Sequence, residues 1–165
     1  MLDTEVLAGI KAGMRGELDY VTIYENAAKN AEGEVKDFFE ERAAAEKQHF
    51  NYLLDYYRTK TINLNHERNA AADLQGGWKS AIVGDAFMKQ VASSRHLTAA
   101  VAAALHLEAD AMHLYREWAG RAQAPELKKL LAKLGDWEQQ HYDDLLLMQE
   151  QLERYYFDIN NFQPF

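Results

Sequence analysis

The sequence predicts an all-α fold, a four-helix bundle of two repeated helical hairpins with one long crossover connection. Alanine, leucine, glutamate and lysine, which favour helices, are abundant, and the 165 residues include only two prolines. Apolar residues recur at three- and four-residue steps along four segments. A pattern of glutamate, tyrosine and histidine occurs once in each half of the chain. The length fits one domain, so we expect residues 1–165 to form a single bundle.

The first hairpin is predicted over residues 4–59, with a turn at residues 30–33 between its two helices. Glu17 lies in the middle of the apolar stripe of the first helix, where a carboxylate is costly unless it is paired or binds a metal. Glu46, on the second helix, is as far from the turn as Glu17. Antiparallel helices place such residues at equal height, so the two carboxylates are expected side by side, with His49 one turn further along.

Residues 60–94 form the one long connection, in which residues 80–92 can form a short helix. A connection of this length is unusual in a small domain. It indicates that the flanking helices are parallel and that the chain crosses the length of the bundle between them. We expect Ile82, Phe87 and Met88 to be exposed on this segment and to contribute to a homodimer.

The second hairpin is predicted over residues 95–156 and repeats the first. Pro125 suits the first position of its second helix, because that position needs no backbone N–H. Glu108 and Glu138 each lie 15 residues from a turn centred near residue 123, so they are also expected side by side. The aromatic residues 157–165 are expected to pack as a tail rather than to form a further long helix.

The repeated pattern is a glutamate, a tyrosine seven residues later, and a Glu-x-x-His pair 29 or 30 residues after the first glutamate. Its members are Glu17, Tyr24, Glu46 and His49 in the first copy and Glu108, Tyr115, Glu138 and His141 in the second. Four carboxylates and two imidazoles on inward-facing stripes predict a site for two metal ions. We expect the first glutamate of each copy to be a terminal ligand, the second to bridge, and each histidine to bind one metal. The alternative is a polar, hydrogen-bonded layer inside a plain helical bundle.

Oxygen-rich ligation with one imidazole per metal suits two iron ions, with manganese or zinc as possible substitutes. Tyr24 and Tyr115 either pack in the core or act at the site, as hydrogen-bond donors to a ligand carboxylate or as local electron sources. Other residues near the pattern are expected to serve packing or the surface: Tyr20, Glu25, Trp118 and Trp137. The remaining histidines are expected to be solvated: His66, His96, His106 and His113.

Composition excludes several classes of function. The net charge of −8 argues against nucleic acid or an anionic membrane surface as partner. The longest apolar run, residues 99–105, is too short to span a bilayer. The chain has no cysteine, which excludes disulfides, thiolate zinc sites and iron–sulfur clusters within it and suits a reducing cytoplasm. We therefore predict a cytoplasmic protein.

At these residues the chain resembles the rubrerythrin branch of the ferritin-like superfamily. The resemblance covers both hairpins, and its specific marks are the Glu-x6-Tyr of the first helix and the two Glu-x-x-His pairs. It implies a ferritin-like bundle with a non-haem di-iron centre that reacts with hydrogen peroxide or dioxygen, in a homodimer or larger assembly. It also implies that the six glutamates and histidines of the pattern are the metal ligands.

Two departures from rubrerythrin affect the expected chemistry. Rubrerythrin proper carries a rubredoxin domain with a cysteine-bound iron, so this chain would need an external electron donor protein. Rubrerythrin also has a further glutamate where this chain has Ala111, so the six-ligand set is closer to that of bacterioferritin. The function predicted is reduction of peroxide or dioxygen. The alternatives are a ferroxidase that handles iron and a non-catalytic metal-binding bundle.

Overall fold

Four long helices form the body of the protein, which the computed structural model describes over residues 4–62 and 78–159. Two short helices lie in the connection between the hairpins, and the described residues contain no strand. The helices are α1 (Thr4–Lys29), α2 (Gly33–Thr59), α3 (Lys79–Ile82), α4 (Asp85–Ser93), α5 (Arg95–Arg121) and α6 (Pro125–Ile159). The predicted all-α bundle is confirmed.

The ends of the helices have identifiable causes in the sequence. The turn between α1 and α2 ends at Gly33, whose φ of 53° lies in the left-handed region that glycine adopts readily. Ser94 caps α5, because its hydroxyl accepts a hydrogen bond from the backbone N–H of Leu97 at 3.3 Å. Pro125 is the first residue of α6, as predicted.

α6 is longer than the sequence predicted. Its helical backbone continues through Ile159, so residues 157–159 extend the helix instead of packing as a tail. Phe157 and Ile159 are 41% and 58% exposed. The helix continues because no glycine or proline follows Gly135 until residue 164. Residues 160–165, the rest of the predicted tail, lie outside the described part of the chain.

α1 and α5 run antiparallel and approach closely. Gly9, near the start of α1, lies against Trp118, near the end of α5, and a Cβ at Gly9 would come within 2.4 Å of the indole. Further along α1, the Tyr20 hydroxyl donates to the backbone carbonyl of Leu107 at 3.0 Å. The missing side chain at Gly9 is therefore what allows the two hairpins to pack at this distance.

α2 and α6 are also antiparallel, because earlier residues of α2 contact later residues of α6. Arg42 pairs with Asp144, whereas His49 lies beside Glu138. Since the two helices of each hairpin are antiparallel, α2 and α5 run in the same direction. The chain must return along the bundle between them, which is the predicted crossover.

The connecting helices α3 and α4 are less exposed than expected. Ile82, Phe87 and Met88 are 0%, 3% and 5% exposed, whereas the neighbouring Val83 is 52% exposed. The three buried side chains join the core at one end of the bundle, where the ring of Phe87 packs edge-on against Phe38 with centroids 6.1 Å apart. The expectation that these three side chains are exposed was wrong, and the homodimer stays a prediction. Residues 63–77 of the connection lie outside the described ranges, and none of the described helices is long and apolar enough to cross a membrane.

Candidate metal centre

Six buried polar side chains meet inside the bundle, delivered by its four long helices. They are Glu17 from α1, Glu46 and His49 from α2, Glu108 from α5, and Glu138 and His141 from α6. Each is at most 4% exposed. In each Glu-x-x-His pair the two residues share a helix face one turn apart, so both reach the interior. The structure thus brings together all six residues that the sequence indicated as ligands, and we call them the six-residue cluster.

The cluster consists of two overlapping groups of four, and in each group one ligand atom from every residue lies within 4.8 Å of the others. The groups are Glu17, Glu46, His49 and Glu138, and Glu46, Glu108, Glu138 and His141. Each group contains one histidine and one glutamate of its own, and both contain Glu46 and Glu138. Two metal ions bridged by two carboxylates require this sharing.

The imidazoles lie among the carboxylate oxygens. His49 Nδ1 is 2.9 Å from Glu138 Oε1, 3.0 Å from Glu46 Oε2 and 3.7 Å from Glu17 Oε2. His141 Nδ1 is 2.8 Å from Glu46 Oε1 and 3.5 Å from Glu138 Oε2. Both shared glutamates therefore present one oxygen to each histidine, so the two halves of the cluster are nearly equivalent.

The two tyrosines of the pattern hydrogen-bond crosswise between the hairpins. The Tyr24 hydroxyl of α1 donates to Glu108 Oε1 of α5, and the Tyr115 hydroxyl of α5 donates to Glu17 Oε1 of α1. Burial, followed by the charge of the glutamate that it faces, raises the pKa of each tyrosine well above its usual value. Each hydroxyl therefore keeps its proton and serves as a donor, which is one of the roles that the sequence left open.

The four glutamates differ in ionisation. Burial first, and then the charge of another glutamate, raises the pKa of Glu17 and of Glu108 well above its usual value. Burial also acts to raise the pKa of Glu46 and Glu138, but the positive charges of the two imidazoles outweigh it and hold both below their usual value. In the metal-free protein the shared glutamates are therefore ionised, and the two others take up protons more readily.

The histidines complete this charge balance. Burial alone would lower the pKa of His49, but the neighbouring carboxylates, Glu138 foremost, raise it well above the usual value. For His141, burial and the charge of Arg42 act downwards, and the neighbouring carboxylates, Glu46 foremost, again raise the pKa. The carboxylates and the imidazoles of the metal-free cluster therefore stabilise each other's charged forms.

The cluster retains unused ligand capacity. Several of its buried polar atoms have no hydrogen-bond partner among the described residues, although some lie near a charged neighbour. They are Glu17 Oε2, Glu46 Oε1, Glu108 Oε2, both carboxylate oxygens of Glu138, and His141 Nδ1. Buried polar atoms in folded proteins are almost always satisfied, so an inward-facing set of oxygens and a nitrogen without partners fits metal ions.

Trp137 contacts the cluster, although the sequence indicated only packing or surface for it. Its ring stacks on the His49 imidazole, with centroids 5.2 Å apart and an angle of 5° between the planes. It also stacks on the ring of Tyr52, with centroids 5.7 Å apart. The side chain is 6% exposed. The sequence shows that Trp137 directly precedes Glu138. Its stacking partner His49 lies on another helix, however, and the spacing of residues along the chain does not reveal that contact.

A buried ion pair lies one turn beyond the cluster and was also missed. Arg42 Nη2 is 2.5 Å from Asp144 Oδ2, and the two side chains are 3% and 7% exposed. Neither residue belongs to the repeated pattern of glutamate, tyrosine and histidine from which the site was predicted. The signal was that a residue three positions after an inward-facing histidine shares its helix face.

The other candidate residues lie outside the cluster. The described histidines expected to be solvated, His96, His106 and His113, are exposed. His66 lies outside the described residues. Glu25 forms a partly exposed ion pair with Lys47 at 2.5 Å, which agrees with a surface role.

Comparison with known proteins gives one match. A family model described as Rubrerythrin matches residues 10–149, which include both hairpins and all six residues of the cluster. No curated protein and no solved structure matches the chain.

Proposed function

Because the chain belongs to the rubrerythrin family, we propose that it is a non-haem di-iron oxidoreductase that reduces hydrogen peroxide or dioxygen with electrons from an external donor. The proposal rests on one observation above all, the pair of four-residue groups that share Glu46 and Glu138. Four carboxylates and two neutral imidazoles match the charge of two divalent ions. Oxygen-rich ligation with one imidazole each favours iron or manganese.

In this proposal the six residues of the cluster hold the two irons. Two ferrous ions held there would supply the two electrons that, together with two protons, reduce one peroxide molecule to two water molecules or one dioxygen molecule to hydrogen peroxide. The near-complete burial of the ligands excludes bulk water from the site. Tyr24 and Tyr115 fix the orientation of Glu108 and Glu17 through their hydrogen bonds, so that each carboxylate keeps one oxygen free for a metal.

The electrons must come from outside the residues of this chain. It contains no cysteine that could hold a rubredoxin-type iron. Protein loaded with ferrous iron should therefore undergo one two-electron oxidation for each pair of irons and then stop. An added reductant or electron-transfer protein should restart the reaction.

The test is anaerobic loading with ferrous iron, followed by separate rapid mixing with peroxide and with dioxygen while the electrons consumed are counted. Glu46→Gln should lose a bridging ligand and with it the paired iron signal. Glu40→Gln is the matched control, because Glu40 lies on the same helix but is 56% exposed and pairs with Lys36 at the surface. A wild type that binds two irons yet consumes neither oxidant would contradict the proposed enzyme and favour a non-catalytic metal-binding bundle.

Native size separates the enzyme from an iron-storing ferroxidase. A storage protein forms a large shell and accumulates many more than two irons per chain, whereas the enzyme should bind two. Sedimentation, combined with metal analysis after repeated additions of iron and oxidant, distinguishes them. We propose that the protein is a homodimer in a reducing cytoplasm. The same sedimentation measurement tests whether it is a dimer.

A further inference from the structure

Four aromatic rings form a continuous stack that begins inside the cluster and ends outside it. The imidazoles of His141 and His49 are 5.5 Å apart, His49 and the indole of Trp137 are 5.2 Å apart, and Trp137 and Tyr52 are 5.7 Å apart, all between centroids. The angles between successive planes are 18°, 5° and 26°. We call these four residues the aromatic column.

The column connects α2 and α6 beside the site. His49 and Tyr52 lie one turn apart on α2, and Trp137 of α6 is inserted between them. Trp137 is buried, but the half-buried Lys133 lies one turn earlier on α6, with its Nζ 6.0 Å from the centre of the indole ring. The outer part of the column therefore lies just beneath the protein surface, while its inner part consists of two ligand candidates.

Cofacial stacking distinguishes the column from the rest of the aromatic core. Phe38 contacts Phe39, Trp78 and Phe87 with planes at 80° to 88°, the edge-on geometry common in cores. Within residues 4–62 and 78–159, the three cofacial ring pairs all belong to the column. Parallel rings in contact give π-orbital overlap along one direction, which edge-on packing does not.

We propose that electrons enter the metal centre at the outer end of the column, formed by Tyr52 and Trp137, and that the column conducts them from an external one-electron donor to the metal held by His49. This inference rests on the proposed function. Two successive transfers oxidise two donor molecules by one electron each and reduce the oxidised iron pair by two electrons. No bond forms or breaks in these steps, and the indole serves as a bridging orbital that is neither consumed nor left oxidised.

The experiment separates reduction of the site from its oxidation. Iron-loaded protein is oxidised with peroxide and then mixed anaerobically with photoreduced flavin mononucleotide, and the loss of ferric absorbance gives the rate of reduction. Trp137→Leu should slow this rate about tenfold or more, equivalent to about 1.4 kcal/mol of activation free energy. Oxidation of the ferrous protein by peroxide should be unchanged. Trp118→Leu, which removes an indole that packs on Gly9, is the matched control and should alter neither rate.

Redox-inactive zinc provides a measurement that does not depend on activity. Zinc bound by His49 would lie against the imidazole that stacks on Trp137, so it should change the tryptophan fluorescence of the wild type and of Trp118→Leu, and this change should be absent from Trp137→Leu. The same titrations count the zinc ions bound to each variant. If Trp137→Leu does not bind two zinc ions, the reduction rate is measured on Tyr52→Leu instead. A rate slower than that of the wild type supports the column, and the wild-type rate overturns it.

The outcomes distinguish this inference from the proposed function. A wild type that binds two irons and consumes an oxidant, with Trp137→Leu reduced at the wild-type rate, overturns the column alone. A wild type that binds no pair of irons or reacts with neither oxidant overturns the proposed function, and the electron path is overturned with it.

Discussion

Binding of two divalent ions to the metal-free protein should release nearly four protons from the six-residue cluster. Burial raises the pKa of Glu17 and Glu108, and the neighbouring carboxylates raise that of His49 and His141, so we expect these four groups to hold protons in the metal-free state. Ligation requires carboxylates and neutral imidazoles. Two carboxyl protons and two imidazolium protons must therefore leave.

The expected magnitude follows from this count. Displacing one proton from a group below its pKa costs about 1.36 kcal/mol for each unit by which the pH falls. Four such protons make binding of the ion pair weaker by about 5 kcal/mol per pH unit, so the product of the two binding constants changes by up to about 10⁴-fold. Few surface metal sites would show so steep a dependence, because exposed carboxylates are already ionised at neutral pH.

The assay is a zinc titration of metal-free protein in weak buffer, in which a pH indicator counts the protons released. The titration is done at about pH 7, because an ordinary histidine, whose pKa lies just below that pH, would release few protons there. Calorimetry in two buffers of different ionisation enthalpy gives the same number independently. Glu17→Gln removes one titratable proton, so its release should fall by about one if metal analysis still finds two ions. Release of two protons or fewer by the wild type would refute the protonation state assigned to the cluster.

Further changes test other parts of the structure. Between about pH 5 and pH 8, the metal-free protein should lose stability as the pH rises through the raised pKa values of its buried acids and histidines. Bound metal should therefore stabilise the protein more at the higher pH. A gap between the melting temperatures of the metal-loaded and the metal-free protein that does not widen with rising pH would contradict this. Tyr24→Phe leaves an oxygen of Glu108 without its donor and should lower the metal-free unfolding free energy by about 1–3 kcal/mol in urea titrations, so an unchanged midpoint would count against the hydrogen bond. Asp144→Leu leaves Arg42 buried without its partner and should cost about 3–5 kcal/mol, whereas adding Arg42→Met should recover most of the loss; equal losses in both variants would contradict the ion pair. Ala111→Glu places a carboxyl group one turn from Glu108, at a position that is 2% exposed, and would supply the further glutamate that rubrerythrin has there. The variant should react faster with peroxide relative to dioxygen in rapid mixing. An unchanged ratio of the two rates would contradict a role of this position in the choice of oxidant.

Features within a hairpin could be predicted from the sequence, because they depend on local rules. The position of the turn fixes which residues of two antiparallel helices are level, so Glu17 and Glu46 could be placed together without coordinates. The helical repeat fixes which side chains share a face, which placed His49 with Glu46. The second hairpin follows the same rules, and its ligand candidates were identified in the same way.

Contacts between the hairpins could not be predicted, because they depend on how the hairpins pack. Tyr24 was expected near the metal ligands, but its partner Glu108 lies on the other hairpin. The relative height of α1 and α5 follows partly from the fit of Trp118 against Gly9, and a lone glycine in a helix does not reveal which indole fills its place. The same limit hid the stacking of Trp137 on His49.

Charge balance explains how this core can exist with and without metal. Four buried carboxylates alone would repel one another strongly. In the metal-free state we expect four protons, two on carboxyl groups and two on imidazoles, to cancel their charge. Two divalent ions would carry the same four positive charges, so loading would exchange protons for metal while the buried cluster stays neutral. The two states therefore need no large rearrangement of charge in the core, and the bundle can be folded before the metal arrives.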